Sequence, residues 1–325
     1  YFLFCLLFSC FWGISQPIAV STTQYTVDQL VTEVLINTPC AIITNITSNT
    51  GSNHGSVNGI GYFQNTNPNF PMTNGIILST SAAIDAPGPQ GSPTLSGGWP
   101  GDQQLFDYMT ALDIDPGLLG YRDASIIEFD FTPFTDHMSF NFLFASREYG
   151  LYQCSFSDAF AFFLTNTVTG EVTNLAIVPN TNDPVSVITI RDSQFNTGGQ
   201  SEEDCPSMNP EYFDSYNVGD PFSAINYNGQ TVKMVAQSEV TPGVQYRIKL
   251  VIADRNDSML DSAVFIEGGS FDIGEPNLGE NRLVSDGSAM CSLEEYELTT
   301  GLNPDQYLFQ WTKDGEIIPG ATGPT

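Results

Sequence analysis

Residues 141–164 constrain the chain more than any other stretch. Phe140, Phe142 and Phe144 alternate on one side of a strand, and Phe160, Phe162 and Leu164 alternate on one side of the next. Period-two aromatic alternation of this density requires two strands with one face each in a packed core. The segment between them is polar and carries Glu148, Cys154 and Asp158. Carboxylates set at fixed points between two buried strands are the arrangement by which a rigid scaffold displays a site.

A second such pair lies downstream. Tyr246, Ile248, Leu250 and Ile252 alternate inward with Arg247 and Lys249 outward, and residues 263–267 (Ala-Val-Phe-Ile-Glu) form the next strand. The turn between them holds Asp254, Asp257 and Asp261. Closely spaced carboxylates are hard oxygen ligands of the kind Ca²⁺ takes, six to eight at a time. The spacing is not that of an EF-hand, and Asp also favours solvated turns, so a cation site and ordinary turn chemistry both fit. If the two strand pairs are neighbours, Glu148, Asp158, Asp254, Asp257 and Asp261 share one region. Ca²⁺ then fits better than Zn²⁺, because every candidate ligand is oxygen.

The segments Phe-Ala-Ser-Arg-Glu-Tyr (144–149), Cys-Ser-Phe-Ser-Asp-Ala-Phe-Ala-Phe-Phe-Leu (154–164) and Ile-Ala-Asp-Arg-Asn-Asp-Ser-Met-Leu-Asp-Ser-Ala-Val-Phe-Ile-Glu (252–267) together resemble the choice-of-anchor L domain. The resemblance covers roughly residues 25–274. Arg147 departs from the pattern, where the family often has a second acidic residue. The resemblance implies display on secreted or surface proteins, abundantly in the Bacteroidetes, and no assigned reaction.

Charge and cysteines agree with export. The chain carries 37 acidic and nine basic residues, a net charge of −28. Nucleic acid and anionic membranes are therefore poor partners, whereas cations are attracted. Residues 1–15 are apolar, uncharged and too short for a membrane span, and they read as the core of a secretory leader truncated at its start. A lipoprotein-type processing site at Cys10 is a second reading of that run. No transmembrane segment is expected elsewhere. Cys40, Cys154, Cys205 and Cys291 remain once the leader is removed. In an oxidising compartment they are disulfide candidates rather than zinc ligands, and only two histidines, His54 and His137, are present. Cys154 and Cys205 both lie in polar loops and are expected to pair. Cys291 awaits a partner beyond Thr325, which leaves Cys40 free or as the alternative partner.

Around these strands the pattern predicts a mostly β, two-sheet sandwich or jelly roll over residues 25–274 with two short helices. The first helix spans residues 26–36, opened by the capping box Thr26-x-x-Gln29, and the second spans 102–112, with Leu105, Met109 and Leu112 inward. Strands are expected at 75–80, 127–131, 174–179, 186–190 and 231–236, and a long polar insertion at 192–227. A linker follows at 275–281. Residues 282–325, with Cys291 ahead of Trp311 and a hairpin at Lys313-Asp314-Gly315, read as the start of an immunoglobulin-like or PKD-like module.

The functional expectation is a secreted or cell-surface, non-catalytic module for adhesion or recognition of a glycan or protein surface, stabilised by a bound cation. Two alternatives stand beside it. One is a carbohydrate hydrolase using Glu148 with Asp158, Asp254, Asp257 or Asp261 as acid and base. The other is a purely structural spacer. No Gly-x-Ser-x-Gly elbow is present to support a serine hydrolase.

Overall fold

A computed structural model describes residues 16–325 except 37, 39–40, 92–96, 276–277, 279–283, 288, 290–295, 301, 303 and 306. The leader expected at residues 1–15, Cys40 and Cys291 lie outside the described residues.

The alternating segments form two antiparallel sheets. One runs β1 (Ala19–Ser21), β3 (Ile60–Gln64), β4 (Asn74–Ser79), β13 (Ser262–Glu267), β6 (His137–Ser146), β10 (Gly229–Thr231) and β9 (Phe213–Tyr216), with β11 (Met234–Glu239) also paired to β6. The other runs β2 (Ile43–Asn49), β5 (Tyr121–Phe131), β12 (Tyr246–Arg255), β7 (Ala159–Asn166) and β8 (Val172–Asn174). Their facing sides enclose the main core. Phe140, Phe142 and Phe144 of β6 meet Phe160 and Phe162 of β7 across the gap, with ring centroids 5.0–5.1 Å apart in the three closest pairs. Aromatic contacts of this kind add to the area they bury.

Both sheets are covered on their outer faces too, which is why outward positions such as Leu143, Phe163 and Val251 are also apolar and buried. Helix α2 (Gln103–Leu112) lays Leu105 and Met109 on Ala159, Ala161, Phe163, Val251 and Ala253. Alanines at three of these positions let the helix approach closely. Asp102 caps α2 through Leu105 N, 2.8 Å, and also binds Lys249 Nζ at 2.6 Å, so the start of the helix is tied to β12. On the other sheet, Phe70, Met72, Ala224, Ile225 and Tyr227 come from loops to cover Phe63, Ile77, Leu143, Ala145 and Phe265.

The Thr26/Gln29 capping box is present, opening α1 (Val27–Gln29). The helix continues as a π-type turn over Leu30–Leu35, closed by Ile36 N donating to Val31 O. Residues 231–236 split between β10 and β11, both on β6. The strand expected at 186–190 is a turn. The Thr189 hydroxyl accepts from Ser186 N and donates to Pro184 O there, while Val185, Val187 and Ile190 still enter the core. The apolar spacing at 186–190 thus reports burial rather than extension. Residues 192–227 are not wholly an insertion, since they contain β9 and the buried Ala224–Tyr227 cover. Beyond 282, the described residues include the hairpin of β14 (Thr312–Lys313) and β15 (Glu316–Ile317). Its turn residues Asp314 and Gly315 both have positive φ, as a two-residue type I′ turn requires. An immunoglobulin-like module is not shown there.

Phe162 touches Phe140, Phe142 and Phe160 in the centre of the sandwich. Phe162→Ala should cost about 3–5 kcal/mol. Val235→Ala, on a half-exposed β11 position, should cost less than about 1 kcal/mol. Urea unfolding of the two variants measures both, and equal losses would contradict this account of the core.

Candidate functional site

Two crossovers from one sheet to the other lie side by side. Residues 147–158 carry the chain from β6 to β7, and residues 256–261 carry it from β12 to β13. β13 is hydrogen-bonded to β6 and β12 to β7, with Ser262 opposite Ser146 and Ala253 opposite Ala159. The acids of both turns therefore converge at one end of the sandwich. Three hydrogen bonds join the pieces: Arg147 N donates to Asp261 O at 3.1 Å, Arg255 N to Asp158 Oδ1 at 3.0 Å, and Asp158 N to Glu148 Oε2 at 2.7 Å.

Four of the five acids expected in this region are buried: Glu148 is 3 % exposed, Asp158 0 %, Asp254 1 % and Asp261 5 %. Asp257 is not. It faces solvent and accepts from Met259 N at 2.9 Å, so it shapes its own turn. Asn256, at positive φ, accepts from Leu119 N and Gly120 N and donates to Gly117 O, stitching the same turn to residues 117–120.

Burial is the main influence on these carboxyls, followed by like charge at Asp254 and Glu148 and by opposing hydrogen bonds at Asp158 and Asp261. Burial and the charges of Asp158, Glu148, Asp257 and Asp261 push Asp254 up to about 12. Burial pushes Asp158 to about 8, against the Arg255 amide bond and the nearby Ser262 hydroxyl. Ser262 Oγ lies close enough to act on that charge without completing a hydrogen bond. Glu148 is raised well above the usual range by burial and by Asp158. Asp261 rises to about 6 through burial, restrained by Ser81 and Arg147. Asp158 Oδ2 and Asp254 Oδ2 are buried without a hydrogen-bond partner. Such orphaned oxygens cost free energy unless protonated or met by a cation.

The nearby arginines offer partial compensation. Arg255 is committed to Asp115, through Nε to Oδ2 and through Nη2 to Oδ1 at 2.7 Å. Arg147 donates to Gly91 O at 2.8 Å and stands over the Tyr227 ring. Sequence reasoning missed a further acid, Asp123. It is the extra residue of a bulge where β5 meets β12, with φ of 52°. Its Oδ1 accepts from Gly98 N and Trp99 N, while Oδ2 is buried and unpartnered. A Cβ on Gly97 would come within 2.4 Å of that oxygen and 2.5 Å of Ser258 Cβ, so only glycine lets these segments meet. A lone Asp ahead of an apolar strand gave no signal of this role.

Cys154 and Cys205 are bonded, with Cα atoms 5.7 Å apart. The bridge anchors the first crossover to the 201–208 segment. Gln153 adds a second tie, donating to Asp192 O at 3.1 Å. Among the described residues no group of three His, Cys, Asp or Glu side chains stands ready to hold a metal ion. Glu148, Asp158 and Asp254 line neither the cleft beside Phe156 nor the one beside Trp99.

A two-sheet antiparallel sandwich with acidic crossovers is the class of domain this geometry defines. The model of the choice-of-anchor L domain matches residues 19–272, and the chain belongs to that family. The family points to a non-enzymatic extracellular or surface protein. No curated protein matches the chain. No solved structure matches it either. Among the described residues no helix is long and apolar enough to cross a membrane.

The raised pKa values fix the sign of a pH effect. Asp158 at about 8 and Asp261 at about 6 hold protons that the unfolded chain, near 3.8, has released. The folded state then binds more protons than the unfolded one, so stability falls as pH rises from about 4 to 8. Melting in EDTA across this range should show that decline, and Asp158→Asn should flatten it. An unchanged slope in that variant would show that the acidic corner does not cause it.

Removing the disulfide with paired Cys→Ser substitutions opens a loop of sequence separation 51. The chain-entropy relation gives a loss of about 4 kcal/mol, read by denaturant unfolding of the oxidised and substituted proteins.

Proposed function

We propose that this chain is a surface-displayed, non-catalytic recognition module whose loop end is set by a bound Ca²⁺. One observation carries the cation: two buried carboxylate oxygens, Asp158 Oδ2 and Asp254 Oδ2, have no partner within a cluster of four buried acids. At neutral pH such a cluster needs protons or an external cation. Glu148, Asp158, Asp254 and Asp261 supply hard oxygens, and Asp257, exposed on the part of the turn beyond the Asn256 tie, is the acid left to close on the ion. The acids are not spaced as a finished shell, so loading draws that turn inward.

Surface recognition is supported by family membership and by a net charge of −28, which disfavours nucleic acid and anionic membranes. The sealed state of Glu148, Asp158 and Asp254 argues against paired-carboxylate hydrolysis, which needs both groups at a substrate bond.

Ion binding to the folded state alone stabilises it by mass action, about 2.7 kcal/mol at a hundredfold excess over Kd. The melting temperature should rise in Ca²⁺ relative to EDTA. Asp254→Asn or Asp261→Ala should abolish the difference, while Asp136→Ala, on an exposed turn at the opposite end, should retain it. Coincident melts of the unsubstituted protein in Ca²⁺ and EDTA would leave the corner as a proton-sharing cluster and defeat the proposal.

A further inference from the structure

Beside the acidic corner opens a cleft of about 490 Å³, within the range of small-ligand sites. Asp115, Phe156, Asp183, Arg191, Met208 and Arg255 are among the residues that line it. The two arginines differ in one respect. Arg255 is neutralised by Asp115 and lies over the Phe156 ring, 5.1 Å from its centroid. Arg191 is 7 % exposed, and no carboxylate among the described residues comes within ion-pair distance of it. Its Nε donates to Pro206 O at 2.9 Å and its Nη1 to Ile188 O. These bonds fix the guanidinium plane and use two of its five N–H groups.

A buried cation is ordinarily paired. In a chain with 37 acids and nine bases, two buried arginines, Arg147 and Arg191, have no carboxylate within ion-pair distance among the described residues, and of the two only Arg191 lines the cleft. Its fork suits a ligand carboxylate better than any other single group. The rest of the lining narrows the ligand. Phe156 is 37 % and Met208 41 % exposed, which leaves apolar surface for the face of a ring. Asp183 is half-buried and its carboxylate accepts no hydrogen bond from the described residues, so it is free to accept from a ligand hydroxyl. A charge-dense acidic peptide has few hydroxyls to offer Asp183, and its closely spaced carboxylates meet more of the repulsion of the −28 net charge than the single carboxylate of one sugar ring does.

We infer that this cleft binds an acidic saccharide, with the sugar carboxylate on Arg191, a hydroxyl on Asp183 and the ring against Phe156 and Met208. The inference rests on the recognition reading above and adds the site and the ligand class.

Calorimetric titration of the full chain with digalacturonate and with sialyllactose, against the methyl ester of the first and lactose, tests it. At least one acidic saccharide should bind tenfold or more tightly than its neutral counterpart. Arg191→Lys keeps the charge but loses the fork, and should weaken binding at least tenfold; it also gives up bonds to Pro206 O and Ile188 O, so its melting temperature is read alongside. Phe156→Ala and Asp183→Asn, at more exposed positions, should each weaken it as well. Equal binding of acid and neutral forms, or indifference to all three substitutions, overturns the site while surface recognition stands. The same holds if an acetylated Asp-Glu peptide binds more tightly than either saccharide. If the chain binds neither a broad glycan panel nor whole cells, the site and the recognition reading fall together.

Discussion

Everything at the acidic end depends on two chain crossings being neighbours in both sheets at once. β6 and β13 share hydrogen bonds in one sheet while β7 and β12 share them in the other. The links 147–158 and 256–261 must then cross the same end of the sandwich side by side, in opposite chain directions. Their carboxylates are forced together by strand pairing, and the cost of that crowding is met by the aromatic core beneath. Phe144 and Phe160, the last and first core rings flanking the crossing, stack at 5.1 Å immediately below it. Loops held so firmly at both ends can keep charged groups buried that a freer loop would turn to solvent.

The same crossing explains the neighbouring cleft. The first crossover is clamped by the disulfide to the 201–208 segment and by Gln153 to Asp192. The second is held to residues 117–120 through Asn256. The cleft lies between these clamps, lined by residues of both, among them Asp115, Gly117, Phe156 and Arg255. Arg255 belongs to both features, since its amide binds Asp158 while its guanidinium faces Asp115. An ion at the corner and a ligand in the cleft would therefore act on the same short piece of β12.

The sequence made the core strands legible because aromatic alternation has one structural meaning when it is this dense. The convergence of Glu148, Asp158, Asp254 and Asp261 was also readable, through their shared placement between strand pairs. The burial of Asp254 and the exposure of Asp257 were not, because spacing within a turn does not say which carboxylate points inward. Asp123 escaped because a bulge leaves no mark on composition. Residues 186–190 misled because buried apolar residues on a turn mimic a strand when the Thr189 hydroxyl supplies the backbone's partner. Arg191 was silent for a different reason: its distinction is that no carboxylate among the described residues comes within ion-pair distance of it while it faces the cleft.

The order in which the strands arrive along the chain has a consequence for how the protein is made. β5 and β7 have no hydrogen bonds to each other, and both wait for β12 to be inserted between them. β4 and β6 wait in the same way for β13. The two strands that complete the sheets, residues 246–255 and 262–267, are the last synthesised of the sandwich. Until they emerge, four apolar strands, three of them carrying phenylalanine, present open edges. Folding is thus governed by late, distant contacts and is slow. A nascent chain stopped short of residue 246 is an aggregation hazard that must be shielded until its two closing strands are free.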